Sequence, residues 1–132
     1  MPHLLGVKMT IKKLTGDNSR MYKILNISTI YRTEILELWA YSNTGYVGTT
    51  YRGILFVGRQ DKITSNNTKF YNIYGTVDPI ADFYTDGDSI YVIPKGQSSG
   101  YELFYTASTT FYPVEMPIDI STKTKLTTVI NS

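Results

Sequence analysis

The sequence predicts an all-β domain, an antiparallel β-sandwich or jelly roll of eight or nine short strands. β-Branched and aromatic residues dominate the composition, with 12 Tyr, 5 Phe and 1 Trp, and such side chains suit a pleated, half-buried surface. Ala and Glu, which favour helices, are scarce. Apolar and polar residues alternate in short runs spaced about ten residues apart, which is typical of sandwiches and jelly rolls.

The strands follow from this alternation and from the turn-forming residues between the runs. The third predicted strand is the most informative, because Ile35, Glu37, Trp39 and Tyr41 would line one face and the residues between them the other. The predicted strands are 5–11, 21–31, 34–41, 50–58, 69–77, 80–85, 89–93 and 101–106, with further short strands in 111–116 and 123–130. A short helix over 34–40 is an alternative, although no capping residue precedes it.

Two local signals refine this reading. The sequence Asp86-Gly87-Asp88 lies between two β-type runs, which is a strong signal for a tight hairpin. Gly53 lies inside a predicted strand and should share a face with Tyr51. Because a glycine in a strand interior lacks packing area, we expect a neighbouring strand or an aromatic ring to crowd it.

Length, charge and residue usage exclude several classes of protein. A chain of 132 residues is expected to form a single domain, 1–132. The absence of Cys rules out disulfides, thiolate metal sites and Cys nucleophiles. A net charge of +2 is too small for a protein that binds nucleic acid through phosphates. No run of 18 apolar residues occurs, so no membrane insertion is expected.

The sequence indicates no catalytic residue, no metal ligand set and no cofactor. His3 is the only histidine, so a catalytic triad or a His-ligated metal is not indicated. Asp82, Asp86 and Asp88 crowd one predicted hairpin and could gather a calcium ion. The alternative, which we weigh more heavily, is that they are solvated turn residues.

The surplus of aromatic residues is the most informative feature for function. Trp39, Tyr41 and Tyr46 flank or enter a Gly-rich loop together with Asn43. These four residues would suit a ligand site in which aromatic rings stack on a sugar. The same rings would also suit a subunit interface or ordinary cross-strand packing, and the sequence leaves these alternatives open.

Several strand sequences together resemble the C-terminal domains of phage tail fibres, tailspikes and appendage proteins, similar to those of phages that infect Gram-positive bacteria. The resemblance covers about residues 20–106. It is a pattern of strand types and contains no catalytic signature. The matching segments are MYKILNI at 21–27, EILELWA at 34–40, YRGILFV at 51–57, DGDSIYV at 86–92 and YELFY at 101–105.

This resemblance implies a homotrimer at the distal end of a fibre, synthesised in the host cytoplasm and located in the virion. Such a domain would bind a host receptor, often a cell-surface glycan, and hold the fibre together. An alternative is an intramolecular trimerisation chaperone that is released by autocatalytic cleavage. A second alternative is a monomeric lectin-like carbohydrate-binding module.

A trimer would also explain the aromatic surplus, because large exposed apolar patches are rare on monomers and closed symmetry hides them. We therefore expect aromatic side chains of three predicted strands to supply the interface. The predicted interface residues are Tyr51, Phe56, Tyr71, Tyr74, Tyr101 and Tyr105.

Overall fold

The computed structural model describes residues 3–4, 7–8, 10–15, 19–42, 50–77, 80–95, 101–107 and 113–127. These residues form antiparallel strands and no helix, so the all-β prediction is confirmed. Eight strands are five residues or longer, in agreement with the predicted number. The strands are β1 His3–Leu4, β2 Val7–Lys8, β3 Thr10–Thr15, β4 Met21–Asn26, β5 Arg32–Ser42, β6 Tyr51–Arg59, β7 Ile63–Tyr74, β8 Ala81–Thr85, β9 Ser89–Pro94, β10 Tyr101–Ala107, β11 Val114–Met116 and β12 Thr124–Lys125.

Ten of these strands form two five-stranded sheets. Sheet I has the order β3-β10-β5-β6-β7, and sheet II has the order β11-β4-β9-β8-β12. The short strands β1 and β2 pair only with each other. In sheet I, β5, β6 and β7 are consecutive along the chain, whereas β10 lies between β3 and β5, so that side of the sheet depends on long-range pairing.

The core lies between the two sheets. Every second residue of β5 points inward, so Leu36, Leu38 and Ala40 are buried, as the alternation predicts. Phe70 of sheet I meets Phe83 of sheet II edge to face, with ring centroids 5.0 Å apart. Buried side chains of both sheets form one continuous cluster, which establishes a β-sandwich.

Several predicted strand boundaries differ from the structure. The predicted strand 5–11 is divided between β2 and β3, of which β3 continues to Thr15, and the predicted strand 69–77 ends at Tyr74. Strand β4 ends at Asn26 and not at residue 31, because the Ile27 N–H turns to the carbonyl of Asp88 and Tyr31 adopts a left-handed backbone with φ 59°. Strand β7 begins at Ile63 and not at residue 69, because its polar first half pairs with the end of β6. The helical alternative for 34–40 is wrong, since this segment lies within β5.

Gly53 is crowded in the predicted manner. A Cβ atom added there would lie 2.0 Å from the hydroxyl of Tyr51 and 2.8 Å from the carbonyl oxygen of Tyr71. The Tyr51 ring therefore lies across the glycine, on the core side of β6. Its hydroxyl donates a hydrogen bond of 2.8 Å to Oδ1 of Asn72, which fixes the ring in that position.

The C-terminal part of the described chain wraps around sheet II. We call residues 113–127 the C-terminal strap. Strand β11 pairs with β4 at one edge of sheet II, and β12 pairs with β8 at the opposite edge. The residues between β11 and β12 therefore cross the outer face of the sheet. Leu126 then enters the main core, and its N–H donates to the carbonyl of Phe83.

The strap covers a second apolar cluster. Met21, Tyr84 and Tyr91 are buried on the outer side of sheet II, with Met116 of the strap packed against them. The ammonium group of Lys123 lies 4.6 Å from the centroid of the Tyr91 ring, a distance typical of a cation–π contact. Sheet II thus has buried side chains on both of its faces.

Candidate functional site

The outer face of sheet I exposes a group of large apolar side chains. We call Ile35, Ile54, Phe56, Tyr71 and Tyr74 the aromatic face. Phe56, Tyr71 and Tyr74 are 37%, 44% and 56% exposed, far more than the buried aromatic residues of the core. Side chains alternate along a strand. Because the neighbouring side chains on β5, β6 and β7 face the core, the side chains of the aromatic face point to the outer side of sheet I.

The strand register brings the aromatic face together. Ile35 of β5 lies opposite Phe56 of β6, and Ile54 lies opposite Tyr71 of β7. Tyr74 lies opposite Arg52, after a register shift that leaves Ile73 as the extra residue. Side chains directly opposite on antiparallel strands are about 5 Å apart at Cβ, so these residues form a continuous surface across three strands.

One ion pair lies within this surface. Nη2 of Arg52 is 3.5 Å from Oε1 of Glu37, and both side chains are exposed. Such an exposed pair contributes about 0–1 kcal/mol to stability. The pair itself is neutral, and the exposed Lys69, which lies opposite Phe56 on β7, adds one positive charge beside the aromatic face.

The structure unites two groups of residues that the sequence analysis kept apart. Trp39 and Tyr41, predicted as ligand-binding residues, lie on the same side of sheet I as Phe56, Tyr71 and Tyr74, predicted as interface residues. Tyr41 is exposed and Trp39 is half-buried. Asn43 and Tyr46, the other predicted ligand-binding residues, lie outside the described residues.

Two of the predicted interface residues belong to the core. Tyr51 and Tyr105 are each only 1% exposed and lie in the cluster between the sheets, so neither can contact another subunit in this fold. Tyr51 could not share a face with Phe56, because the two lie five positions apart along β6 and side chains an odd number of positions apart point to opposite faces. Tyr101 lies in β10, and its side chain is outside the described part of the structure.

Burial changes the acidity of both core tyrosines. It raises the pKa of Tyr51 to about 12 and raises the pKa of Tyr105 further in the same direction, since a buried phenolate loses its hydration. The Tyr105 hydroxyl has no hydrogen-bond partner among the described residues. Both hydroxyls therefore stay protonated at neutral pH, and both rings lie inside the core and offer no surface for binding.

The three aspartates of the β8–β9 region do not converge on a cation. Asp82 pairs with Lys95 and Lys125, and Asp88 pairs with Arg59. Burial alone would raise the pKa of Asp86, but hydrogen bonds from the Tyr91 hydroxyl and from two backbone N–H groups lower it. Among the described residues, no three ligand-type side chains are grouped as a metal site requires. The solvated-turn reading fits Asp86 and Asp88, which are exposed in the β8–β9 turn, but not Asp82, which lies within β8 with a side chain only 23% exposed.

The sequence analysis did not identify a groove at one end of the sandwich. It lies on the outer side of sheet I between the β4–β5 loop and the β6–β7 turn, and its lining includes Phe56, so it continues the aromatic face. We call it the end groove. The available signal was the run Ile30-Tyr31-Arg32, which places an aromatic and a guanidinium side by side in a loop. The lining residues are Tyr31, Arg32, Thr33, Phe56, Gly58, Arg59, Gln60 and Asn67.

No helix in the described part of the chain is long and apolar enough to cross a membrane. Comparisons of the chain with protein-family models, with curated proteins and with solved structures gave no match. The site is therefore interpreted from its own geometry, in which an exposed aromatic face is the dominant feature.

Proposed function

We propose that this domain assembles into a homotrimer through the aromatic face and serves as the distal domain of a phage tail fibre or appendage. The observation that supports it is the exposure of Phe56, Tyr71 and Tyr74 on one continuous surface. Apolar patches of this kind on soluble proteins mark interaction sites. In this role the domain would hold the fibre together and present its free surfaces to a receptor on the host cell.

Further copies of the same chain are suitable partners for this surface. The aromatic face combines apolar rings with both members of the Arg52–Glu37 pair, so a second copy can meet each charge with its opposite. The net charge of +2 opposes self-association only weakly. Tyr side chains suit such an interface because they combine apolar area with a polar tip.

The number of subunits follows from the resemblance to fibre domains. A ring of three copies is a closed assembly, whereas a head-to-tail contact that does not close would produce filaments. The strand-sequence pattern described above resembles that of trimeric fibre tips, which favours three copies. A place in the virion and contact with a host-surface glycan belong to the same proposal.

Analytical ultracentrifugation tests the assembly. We expect the natural chain to sediment as a trimer and the double variant Phe56→Glu/Tyr71→Glu to sediment as a monomer, because buried carboxylates without partners are costly. Ile120→Glu provides the matched control, since Ile120 is exposed on the strap on the other side of the sandwich, and it should remain a trimer.

Two results would contradict the proposal. One is a natural chain that stays a 15 kDa monomer at millimolar concentration. The other is a double variant that stays trimeric while folded, which would place the interface elsewhere. Circular dichroism of each variant verifies that a loss of assembly does not result from unfolding.

A further inference from the structure

We propose that the C-terminal strap is an autoinhibitory cover that opens as a unit, and that the uncovered outer face of sheet II binds the same face of a second copy of this chain. The inference rests on the self-association proposed above, because it gives a reason why that association stays limited to one side of the sandwich. It concerns sheet II alone and uses no residue of the aromatic face.

The strap is weakly integrated into the fold. Among residues 113–127, only Leu126 is buried. The strap pairs with sheet II over three residues at β11 and two residues at β12. Segments with few buried side chains and exposed backbone open at a lower free energy than a core does. Withdrawal of Leu126 and loss of the two short ladders would therefore release the strap, while β4, β9 and β8 stay paired.

Several contacts of the closed strap are exposed ion pairs. Glu115 lies 3.5 Å from Arg20 at one edge of sheet II, and Nζ of Lys125 lies 3.3 Å from Oδ1 of Asp82 near the other edge. Exposed ion pairs contribute little to stability. These pairs therefore orient the closed strap without holding it strongly.

Opening of the strap would uncover an apolar surface. Met21, Tyr84 and Tyr91 form a cluster on the outer side of sheet II, against which Met116 of the strap packs. Like the aromatic face, this cluster combines apolar area with tyrosine hydroxyls, and large exposed patches of this kind mark interaction sites. An open strap would therefore create a second association surface, on the side of the sandwich opposite to the aromatic face.

The charges beside this cluster favour a second copy as its partner. Tyr22 and Phe83 both pair with Val92, so Arg20 and Asp82 lie within one residue of the same height on either side of β9. A twofold axis parallel to the strands would place Arg20 of each copy next to the partner's Asp82. These two residues lose Glu115 and Lys125 when the strap opens, and a second copy replaces both ion pairs.

The closed strap therefore has a consequence for assembly. Association through one face permits a closed assembly, whereas association through two opposite faces continues without limit. The strap keeps the second face out of contact with other copies.

Hydrogen exchange of the ¹⁵N-labelled natural chain tests whether the strap opens as a unit. The N–H of Leu126, which donates to the carbonyl of Phe83, and the protected N–H groups of β11 should exchange together. We expect this exchange to be at least about tenfold faster than that of the amides between β4 and β9. Strap amides that exchange as slowly as those amides would overturn the inference.

A disulfide provides a reversible lock for the strap. The natural chain has no Cys, and Thr85 and Thr124 are directly paired. Such partners lie about 4.5–5.5 Å apart at Cα, which a disulfide can span. In urea below the unfolding midpoint, reduced Thr85→Cys/Thr124→Cys should sediment as species larger than the natural assembly, and the oxidised form should keep the natural size. Equal growth of both forms, or no growth of the reduced form, would overturn the inference.

A pair of core variants gives a second, independent measurement. Leu126 and Leu36 are buried in the same core cluster, but only Leu126 belongs to the strap. At urea concentrations that give equal stability, Leu126→Ala should speed the exchange of the β11 amides and promote growth, and Leu36→Ala should do neither. Equal growth of the two variants would assign the growth to general unfolding and overturn the inference.

The sizes and the exchange rates of the products separate the possible outcomes. Strap amides that regain protection in the larger species would show that straps have been exchanged between copies, and face-to-face pairing would be wrong. If the natural chain is a monomer, the proposed trimer fails, and the reduced variant should then stop at a dimer because only sheet II associates. Growth without limit requires both faces, so the two proposals fail in distinguishable ways.

Discussion

The outer faces of the two sheets are built from similar residues but differ in cover. On sheet II, Tyr84 and Tyr91 lie beneath the C-terminal strap and are 9% and 5% exposed. On sheet I, Tyr71 and Tyr74 occupy the corresponding outer side and are 44% and 56% exposed. No described segment of the chain crosses sheet I as the strap crosses sheet II.

The difference shows how a small sandwich distributes its aromatic residues. Two sheets share only one interior, so rings beyond its capacity must lie on an outer face. The strap provides cover for one outer face within the same chain. No described residue covers the other outer face, which is the physical basis for proposing an interface there.

The largest expected effect contrasts one tyrosine from each outer face. Tyr91→Ala removes a ring held against Met21 and Lys123 and should lower the free energy of unfolding by about 3–5 kcal/mol. Tyr71→Ala should change it by less than about 0.5 kcal/mol in the monomer. Urea denaturation at a concentration where both variants sediment as monomers measures the two losses. Similar losses would show that the strap provides no effective cover.

The strand pattern allowed much of the fold to be predicted because it is a local property. The alternation in β5 correctly separated Leu36 and Leu38 from Ile35, and the Asp-Gly pair correctly indicated the β8–β9 hairpin. In that turn Gly87 has φ 103°, which explains why glycine is found there. Crowding at Gly53 was also predictable, because Tyr51 lies two positions away in the same strand and therefore on the same face.

The placement of the aromatic residues was harder to predict from the sequence, because it depends on long-range strand order. Consistent use of the two-residue period would have removed Tyr51 from a surface that contains Phe56. For Tyr105 no such neighbour existed, since only pairing with β3 and β5 determines which face of β10 is buried. No local signal indicates that β11 and β12 lie at opposite edges of sheet II, with the rest of the strap between them.

Glycine substitutions in β6 test whether the inner face of sheet I is as closed as the strap-covered face. Gly53→Ala would place a methyl group 2.0 Å from the Tyr51 hydroxyl, so the ring must move and its bond to Asn72 is lost. We expect a loss of about 2–3 kcal/mol. Gly58→Ala is the matched control, because the nearest atom to its Cβ would be the carbonyl oxygen of Asn67 at 3.4 Å. This substitution should lower the free energy of unfolding by less than about 0.5 kcal/mol. Equal thermal midpoints for the two variants would contradict the close packing at Gly53.

Alkaline pH probes the strap-covered face and the core together. Burial and the hydrogen bond to Asp86 raise the pKa of Tyr91 to about 12, and burial raises that of Tyr51 to about 12. The folded state therefore retains protons that the unfolded state releases above the ordinary pKa of about 10. The contribution of these two tyrosines to stability should be constant below pH 10 and fall as the pH rises to 12, by as much as about 1.4 kcal/mol per pH unit for each tyrosine.

Phenylalanine variants assign this slope. Tyr91→Phe and Tyr51→Phe should each flatten the decline of unfolding free energy between pH 10 and pH 12, because the titrating hydroxyl is removed. Urea denaturation at half-unit pH intervals provides the measurement. A decline of the same steepness in both variants would assign the alkaline instability to other groups.

The smallest expected effect concerns the ion pair on the uncovered face. Arg52→Gln/Glu37→Gln removes both charges, which are 3.5 Å apart and exposed, and should change monomer stability by less than about 0.5 kcal/mol. In the proposed trimer, apolar area and not ion pairing is expected to dominate the association. The assembly should therefore persist in 1 M NaCl, where the Debye length is about 3 Å. Sedimentation of the natural chain and of the double variant at low and high salt shows whether apolar area or ion pairing dominates the association. If the natural chain dissociates to folded monomers in 1 M NaCl, ion pairing holds the subunits together. The outer face of sheet I would then not associate through its apolar area as the outer face of sheet II packs against the strap.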